Sequence, residues 1–368
     1  MAHAVDTARG ANQESIGANA VIQTLREPEV GLEVEVVSSI RSVSKQRWNA
    51  LVDRADRGNI YHRHEWLTAL EVGLNRTPRH VVVWKDGNLV GCCPNFLLDI
   101  EGTPLRRLRS MSPGWAGPLL TTDVADSLSL MTEALADVCG GRTTVHEIRA
   151  VDPEYVQYDD FLKSRGYELT RSGCRFLIDL DRSYDAIRSE MSRSRARCIE
   201  QGRDQDFEIV EADPAMESLE RFYGAYAQVM DRVGSDPFPL SFFEALGEMW
   251  SRVQLLELYV EGEYAGGLVE LLDDEQSTVR GFLAGIPRES FEYHATELLY
   301  DHVIRWGCEN GYETYDLGTT AANFEGGSFR FKKGFGGQIA PNLFWQRGCS
   351  PLWPLLKVGR SLRWRYDI

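Results

Sequence analysis

At 368 residues and 43% hydrophobic content, the chain can bury one large core or two ordinary ones, since single cores rarely grow past about 250 to 300 residues. A net charge of -15 excludes a protein that coats nucleic acid, because phosphate binding needs a positive face to release counterions, so no DNA partner is expected. No apolar run approaches the roughly 18 residues of a membrane span and the seven cysteines show no CxxC pair, which predicts a soluble cytoplasmic protein with reduced thiols and no metal.

In chain order, residues 1–30 mix Asp6, Arg9, Glu14, Arg26 and Glu27 without an apolar stretch and read as a disordered start with no secretory signal. Between Trp48 and Leu67 stand His62 and His64; two apart, they could share one strand face, but with no third ligand they read as surface histidines. Val81 to Leu98, VVVWKDGNLVGCCPNFLL, is an apolar strand, a two-residue turn with glycine and a second apolar strand, which predicts a hairpin. Glu133 to Ala150 reads as helix, glycine stop and strand.

The second half predicts a helix at 183–201, a strand at 206–211, helices at 214–231 and 240–250, and a hairpin, LLELYVEGEYAGGLVELL, from Leu255 to Leu272. A strand near 277–284, a helix at 293–309 and a strand at 312–317 follow. After them come the glycine-rich GGSFRFKKGFGG, Gly326 to Gly337, and a closing strand near 338–346. The two hairpins align at a constant offset of 175, with Asp86, Gly87 and Gly91 falling on Glu261, Gly262 and Gly266. Asp301 to Gly318 repeats the helix, stop and strand of Glu133 to Ala150. Two units recurring in the same order predict tandem domains, roughly 31–180 and 181–347, with mixed strands and helices of α/β or α+β class. Residues 348–368 carry Trp353, Leu355, Leu356, Leu362 and Trp364 among Lys357, Arg360, Arg363 and Arg365. They form a basic amphipathic tail that could dock on the core or touch an anionic membrane.

The order of elements resembles the GNAT acyltransferase fold, and ELLYDHVIRWGCENGYETYDLGTT followed by FRFKKGFGG is similar to its FemABX-like branch. The resemblance implies two tandem GNAT-like domains, each a mixed, mostly antiparallel sheet flanked by helices. Within it, Trp48 to Leu67 looks like the family's opening helix and strand, and MSPGWAGPLL, Met111 to Leu120, like its mid-domain loop. That branch includes aminoacyl-tRNA-dependent transferases that build peptidoglycan cross-bridges and acyltransferases linked to polysaccharide and cellulose loci. The implied activity is N-acyl transfer of an aminoacyl or acyl group to an amine of a cell-envelope precursor or glycan, small or lipid-linked. The implied donor is charged tRNA or acyl-CoA, neither of them a tightly bound cofactor. GNAT enzymes that use acyl-CoA cradle its pyrophosphate on a Q/RxxGxG/A loop. Here the stretch reads AGIPRESFEYHATELL, without the glycine pair, so an ordinary CoA site is not expected.

Acyl transfer to an amine needs donors aimed at the developing oxyanion and a way to remove the amine proton. Only six of the 40 basic residues are Lys, yet Lys332 and Lys333 stand side by side in the glycine-rich segment, where a compact, tunable charge suits the first need. The resemblance places the family's catalytic lysine on Lys332. Gly318, Gly326, Gly327, Gly334, Gly336 and Gly337 permit close backbone approach to a ligand or a mobile loop. Asp316, at a strand end, could orient the amine or pair with Lys332, or else satisfy loop N–H groups; Glu270 and Glu297 are further base candidates. Arg193 and Arg197, four apart on a helix, could clamp a phosphate-bearing acceptor or simply form a solvated face. The resemblance adds Tyr293 and His294 as ligand contacts, although Ala295 stands where the family has Pro. Two rival readings stay open: an acyl-CoA-dependent N-acetyltransferase with a degenerate phosphate loop, and a non-catalytic GNAT-like binding protein.

Overall fold

The computed structural model describes residues 20–27, 31–213, 215–351 and 353, so the expected tail beyond 353 lies outside the described residues. The chain divides into two compact units. One comprises the described residues up to 71, 75–170 and those from 343 on; the other comprises 72–74 and 171–342.

The first unit runs β1 (Val21–Glu27), β2 (Leu32–Val37), α1 (Lys45–Arg54), α2 (His64–Gly73), β3 (Thr77–Pro78), β4 (His80–Lys85), β5 (Asn88–Cys93), β6 (Phe96–Asp99), β7 (Arg106–Arg109), β8 (Leu119–Leu120), α3 (Val124–Val138), β9 (Thr143–Ala150) and α4 (Asp159–Ser164). The second runs β10 (Glu168–Asp179, mostly in this unit), α5 (Tyr184–Glu190), α6 (Arg193–Arg203), β11 (Phe207–Glu211), α7 (Met216–Val233), α8 (Leu240–Ala245), β12 (Val253–Val260), β13 (Glu263–Asp273), β14 (Thr278–Gly285), α9 (Ala295–Glu309), β15 (Thr314–Asp316) and α10 (Gly327–Lys333). β16 (Gln338–Gly348) closes the chain, its residues 343–348 belonging to the first unit.

In the first unit one sheet has the order β1-β2-β4-β5-β8. Alternate residues Leu32, Val34 and Val36 on β2, with Val81 and Val83 on β4, meet Leu130, Met131, Ala134 and Leu135 of α3, as period-two strands under a period-3.6 helix should. A second set of strands runs β9-β7-β6-β3, with residues 343–348 of β16 paired antiparallel to β9. Two expectations are corrected here. Val21–Glu27, read as part of a disordered start, is a strand paired with β2 from Val21↔Val37 to Glu27↔Leu32; its alternating half-exposed residues leave only a weak apolar period in the sequence. His62 and His64 are buried, not surface residues, and share no strand. His62 ring nitrogens lie 3.0 Å from Asn59 Oδ1 and 2.9 Å from Gly117 O, and His64 Nε2 lies 3.1 Å from Ile40 O, so both are satisfied core groups.

The second unit carries a sheet of order β11-β12-β13-β14-β15-β10, antiparallel throughout except where β14 and β15 run parallel at 278–280 against 314–316. Leu298, Leu299, Val303 and Ile304 of α9 bury against Leu256, Leu258, Leu268, Val279 and Tyr315. The helix expected over 183–201 is broken: Ser192 adopts an extended ψ of 147°, caps α6 by accepting from Arg195 N, and donates its own N–H to Gly334 O at 2.9 Å. The glycine-rich segment is likewise not a loop throughout, since Gly327–Lys333 forms α10 with Phe329 and Lys332 on its buried face.

The two units repeat one another in detail. Both hairpins turn through two residues of positive φ, Asp86 and Gly87 at 50° and 75° in the first unit and Glu261 and Gly262 at 52° and 79° in the second. Both carry an irregularity at matching places, between Val83 and Trp84 and between Leu258 and Tyr259, an offset of 175 in sequence. Each unit also has one parallel strand pair bearing a cross-strand arginine and acid in register, Arg109↔Glu147 and Arg280↔Asp316. Among the described residues, no helix is long and apolar enough to cross a membrane.

Candidate active site

The parallel pair of the second unit organises the buried charges. Arg280 on β14 donates to Asp273 Oδ2 at 2.6 Å and to Asp316 Oδ2 at 3.2 Å; Arg175 on β10 donates to the same Asp316 oxygen at 2.7 Å and to Asn342 Oδ1 at 2.9 Å. The other Asp316 oxygen accepts the Gly318 N–H at 3.0 Å. Burial pushes the Asp316 pKa up, but the two guanidinium groups outweigh it, and the carboxyl is held below its ordinary value. Asp316 is therefore fully engaged inside the protein, the loop-satisfying alternative rather than a group free to hold a substrate amine.

That carboxylate fixes the backbone on which Lys332 rests. The Lys332 side chain is 9% exposed, and its Nζ donates to Gly318 O at 3.0 Å and Thr319 O at 3.1 Å, leaving one of three ammonium hydrogens. Burial lowers its pKa to about 8, against the opposing pull of Asp316 and Glu270. Gly318 has φ of 76°, and a Cβ there would sit 2.6 Å from Gly281 O. Gly318→Ala is expected to cost on the order of 1–3 kcal/mol and to displace the carbonyl that holds Lys332, so thermal melting and turnover should fall together.

Glu270 on β13 completes the cluster. A bulge in β14 shifts the register between Val269↔Leu283 and Glu270↔Gly281, next to the point where Glu270 turns inward. Tyr315 donates its hydroxyl to Glu270 Oε1 at 3.0 Å, while Oε2 is buried and finds no hydrogen-bond partner among the described residues. Burial raises the Glu270 pKa to about 8, with Tyr315 and Lys332 acting in the opposite sense. A carboxyl and an ammonium that both titrate near neutrality, within electrostatic reach of each other, suit proton transfer and oxyanion stabilisation.

The remaining expected residues are more scattered. Lys333 is exposed; Arg193 and Arg197 are exposed on α6; Tyr293 is half-buried at the end of a 3-10 turn, Arg288–Tyr293, and packs on the core; Gly336 has φ of 86° at the exit of α10. On α6 the engaged arginine is Arg195, which ion-pairs with Glu297, lies 4.1 Å over the Phe331 ring and donates to Phe331 O at 3.3 Å. Glu297 is thus occupied. Its carboxylate, Cys198 and His294 have donor atoms within 4.8 Å of one another, the one three-member group among the described residues whose side chains could take a metal. Sequence reasoning passed over Arg175, Arg195 and Arg280, although an arginine inside the apolar strand TVRGFLAG signals a buried ion pair.

Residues 186–333 match a family model described as an acetyltransferase (GNAT) domain. The second unit carries a GNAT acyltransferase domain. No curated protein matches the chain in sequence. Its fold is similar to that of FemX, with a TM-score of 0.65 and 13% identity over 86% of this chain and 98% of that one. It is also similar to the C-terminal domain of a putative lysylphosphatidylglycerol synthetase from Agrobacterium fabrum (TM-score 0.55, 13% identity, 86% and 94% covered). A tandem GNAT protein from the clavulanic acid biosynthesis pathway matches over 87% of this chain and 99% of that one (TM-score 0.53, 14% identity). At these identities the likeness shows the fold alone. The buried Lys332, Glu270 and Asp316 all lie in or beside the matched GNAT domain.

Proposed function

We propose that the chain is an N-acyltransferase that moves an aminoacyl or simple acyl group onto an amine of a cell-envelope precursor or glycan. The observation that carries the reading is the buried pair Lys332 and Glu270, both brought to about 8 by burial, in a GNAT acyltransferase domain. The third N–H of Lys332 would donate to the acyl carbonyl as it becomes an oxyanion, and Glu270 would take the proton of the attacking amine. Asp316 would act as a positioning residue, holding Gly318 and so Lys332, while exposed Arg193 and Arg197 meet a phosphate-bearing acceptor. Charged tRNA is favoured as donor over acyl-CoA, because the turn before α9 lacks the glycine pair and carries Glu289 and Glu292, which repel a pyrophosphate. Turnover of labelled aminoacyl-tRNA with amine acceptors, compared with acyl-CoA, tests this directly; exclusive use of acyl-CoA would replace the reading with its acetyltransferase rival.

Glu270→Gln gives two expected results. Turnover should drop by about 10² to 10⁴-fold and lose the rise with pH that ionisation of Glu270 gives, while the fall from deprotonation of Lys332 remains. Stability should move the other way. A carboxyl whose folded pKa is raised is favoured in its protonated form, so the wild type loses stability as pH climbs from about 4.5 to 8, by up to roughly 1.4 kcal/mol per unit. The neutral Gln variant should therefore melt higher than wild type at pH 8 and alike at pH 4, as scanning calorimetry would register.

A further inference from the structure

The second unit brings together a group of metal-ligating side chains that the acyl-transfer reading does not use. Cys198 lies on α6, Glu297 in the first turn of α9, and His294 at the junction between the 3-10 turn Arg288–Tyr293 and α9. One donor atom from each, the thiol sulfur, an imidazole nitrogen and a carboxylate oxygen, lies within 4.8 Å of the other two. The helices meet closely here, since a Cβ on Gly202 of α6 would stand 2.8 Å from Leu298 Cγ of α9. His294 is fixed from both sides: its N–H donates to Phe291 O at 3.1 Å and its carbonyl accepts from Leu298 N–H at 3.0 Å. Glu297 gives Oε1 to Arg195, whose guanidinium is also held over Phe331 and Phe335, and its other oxygen remains for a ligand. All three residues are half-buried, open enough for an ion to enter and shielded enough to favour its ligation over water.

Sulfur, nitrogen and oxygen donors in one place suit a borderline-soft divalent ion, whereas magnesium and calcium take oxygen alone. Tetrahedral zinc, about 2.0–2.3 Å from each ligand, spaces its donors roughly 3.4–3.6 Å apart, so these side chains have to close by little more than about 1 Å. We propose that Cys198, His294 and Glu297 form a zinc(II) site that joins α6 to α9, with a water in the fourth position. As the metal–sulfur bond forms, the Cys198 thiol gives its proton to solvent, and the thiolate and the Glu297 carboxylate together balance the charge of the ion. The positive end of α9 opposes a cation there, a weak and screened effect beside direct ligation by two anions. The expectation of no metal rested on the missing CxxC spacing; Cys198 and His294 stand 96 residues apart and meet through packing alone. The site uses none of Lys332, Glu270 and Asp316 and stands if the acyl-transfer reading fails.

Titration of the full chain, first stripped with a chelator, with cobalt(II) and zinc(II) tests the site. Cobalt should bind with a thiolate charge-transfer band in the near ultraviolet and the intense visible bands of four-coordination, and zinc should displace it. Zinc should also raise the melting temperature of the wild type. Cys198→Ser should abolish the charge-transfer band. Outer partners of a bound metal are worth about 10 to 100-fold in affinity, so His294→Gly and Glu297→Gln, each of which removes a ligand, should weaken zinc by at least that much. Glycine is chosen at 294 because it takes the φ of 56° freely. Cys308→Ser, at a half-buried thiol elsewhere on α9, should leave the band unchanged. If Glu297→Gln fails to fold once Arg195 loses its partner, the other two variants decide. Absence of cobalt binding up to ~100 μM, or a charge-transfer band that survives in folded Cys198→Ser, overturns the site.

Discussion

Lys332→Met is expected to lower turnover by at least about 100-fold while the protein still folds. Methionine keeps much of the length of the side chain and removes the ammonium. The fold should tolerate this because two effects oppose each other. The carbonyls of Gly318 and Thr319 lose a donor, at roughly 1–3 kcal/mol for an unsatisfied buried group, while the chain no longer buries a cation. Lys332→Arg should not restore activity. A planar fork cannot replace a point charge held between the Gly318 and Thr319 carbonyls, and an arginine would not titrate near neutrality. The competing explanation is that Lys332 merely ties down residues 318–319. Under it, turnover would fall only as far as melting temperature does, and the pH dependence of the surviving activity would match wild type. Steady-state rates across pH 6 to 10, taken beside circular-dichroism melts, separate the two.

Much of this site was legible in the chain and some was not, for identifiable reasons. The hairpins announced themselves through Asp86-Gly87 and Glu261-Gly262 because a two-residue turn of positive φ accepts few other residues. The scarcity of lysine pointed to Lys332, and the strand YETYDLG to Asp316. The role of Asp316 was not readable, since it depends on Arg175 and Arg280, which lie 141 and 36 residues away and meet it only through sheet order β14-β15-β10. Glu270 looked like one acid among 55. Its significance comes from burial beside Tyr315, and burial of a carboxylate breaks the pattern on which sequence reading rests. Arg193 and Arg197 obeyed helical spacing, yet it is Arg195, on the opposite face, that α6 turns toward Phe331 and Glu297. Spacing gives the faces of a helix; only packing says which face is inward.

Asp316→Ala should produce the largest loss of stability, about 3–5 kcal/mol at pH 7, because it strips a carboxylate from two buried arginines at once. Asp273 remains bonded to Arg280, which moderates the loss on that side; Arg175 keeps Asn342 but no longer faces Asp316. The effect carries a pH signature whose sign follows from the depressed pKa. A carboxyl that is more acidic in the folded state than in the unfolded chain contributes stability above its unfolded value, about 3.9, and that contribution fades as pH falls through the folded one. Wild type and variant should therefore be well separated in urea unfolding at pH 7 and should converge progressively below about pH 4. Parallel curves at both pH values would mean that the ion pairs add nothing beyond packing. Convergence would show that the same carboxylate that positions Lys332 also clamps β14, β15 and β10 together, so that the geometry of the reacting groups and the stability of the sheet rest on one buried charge.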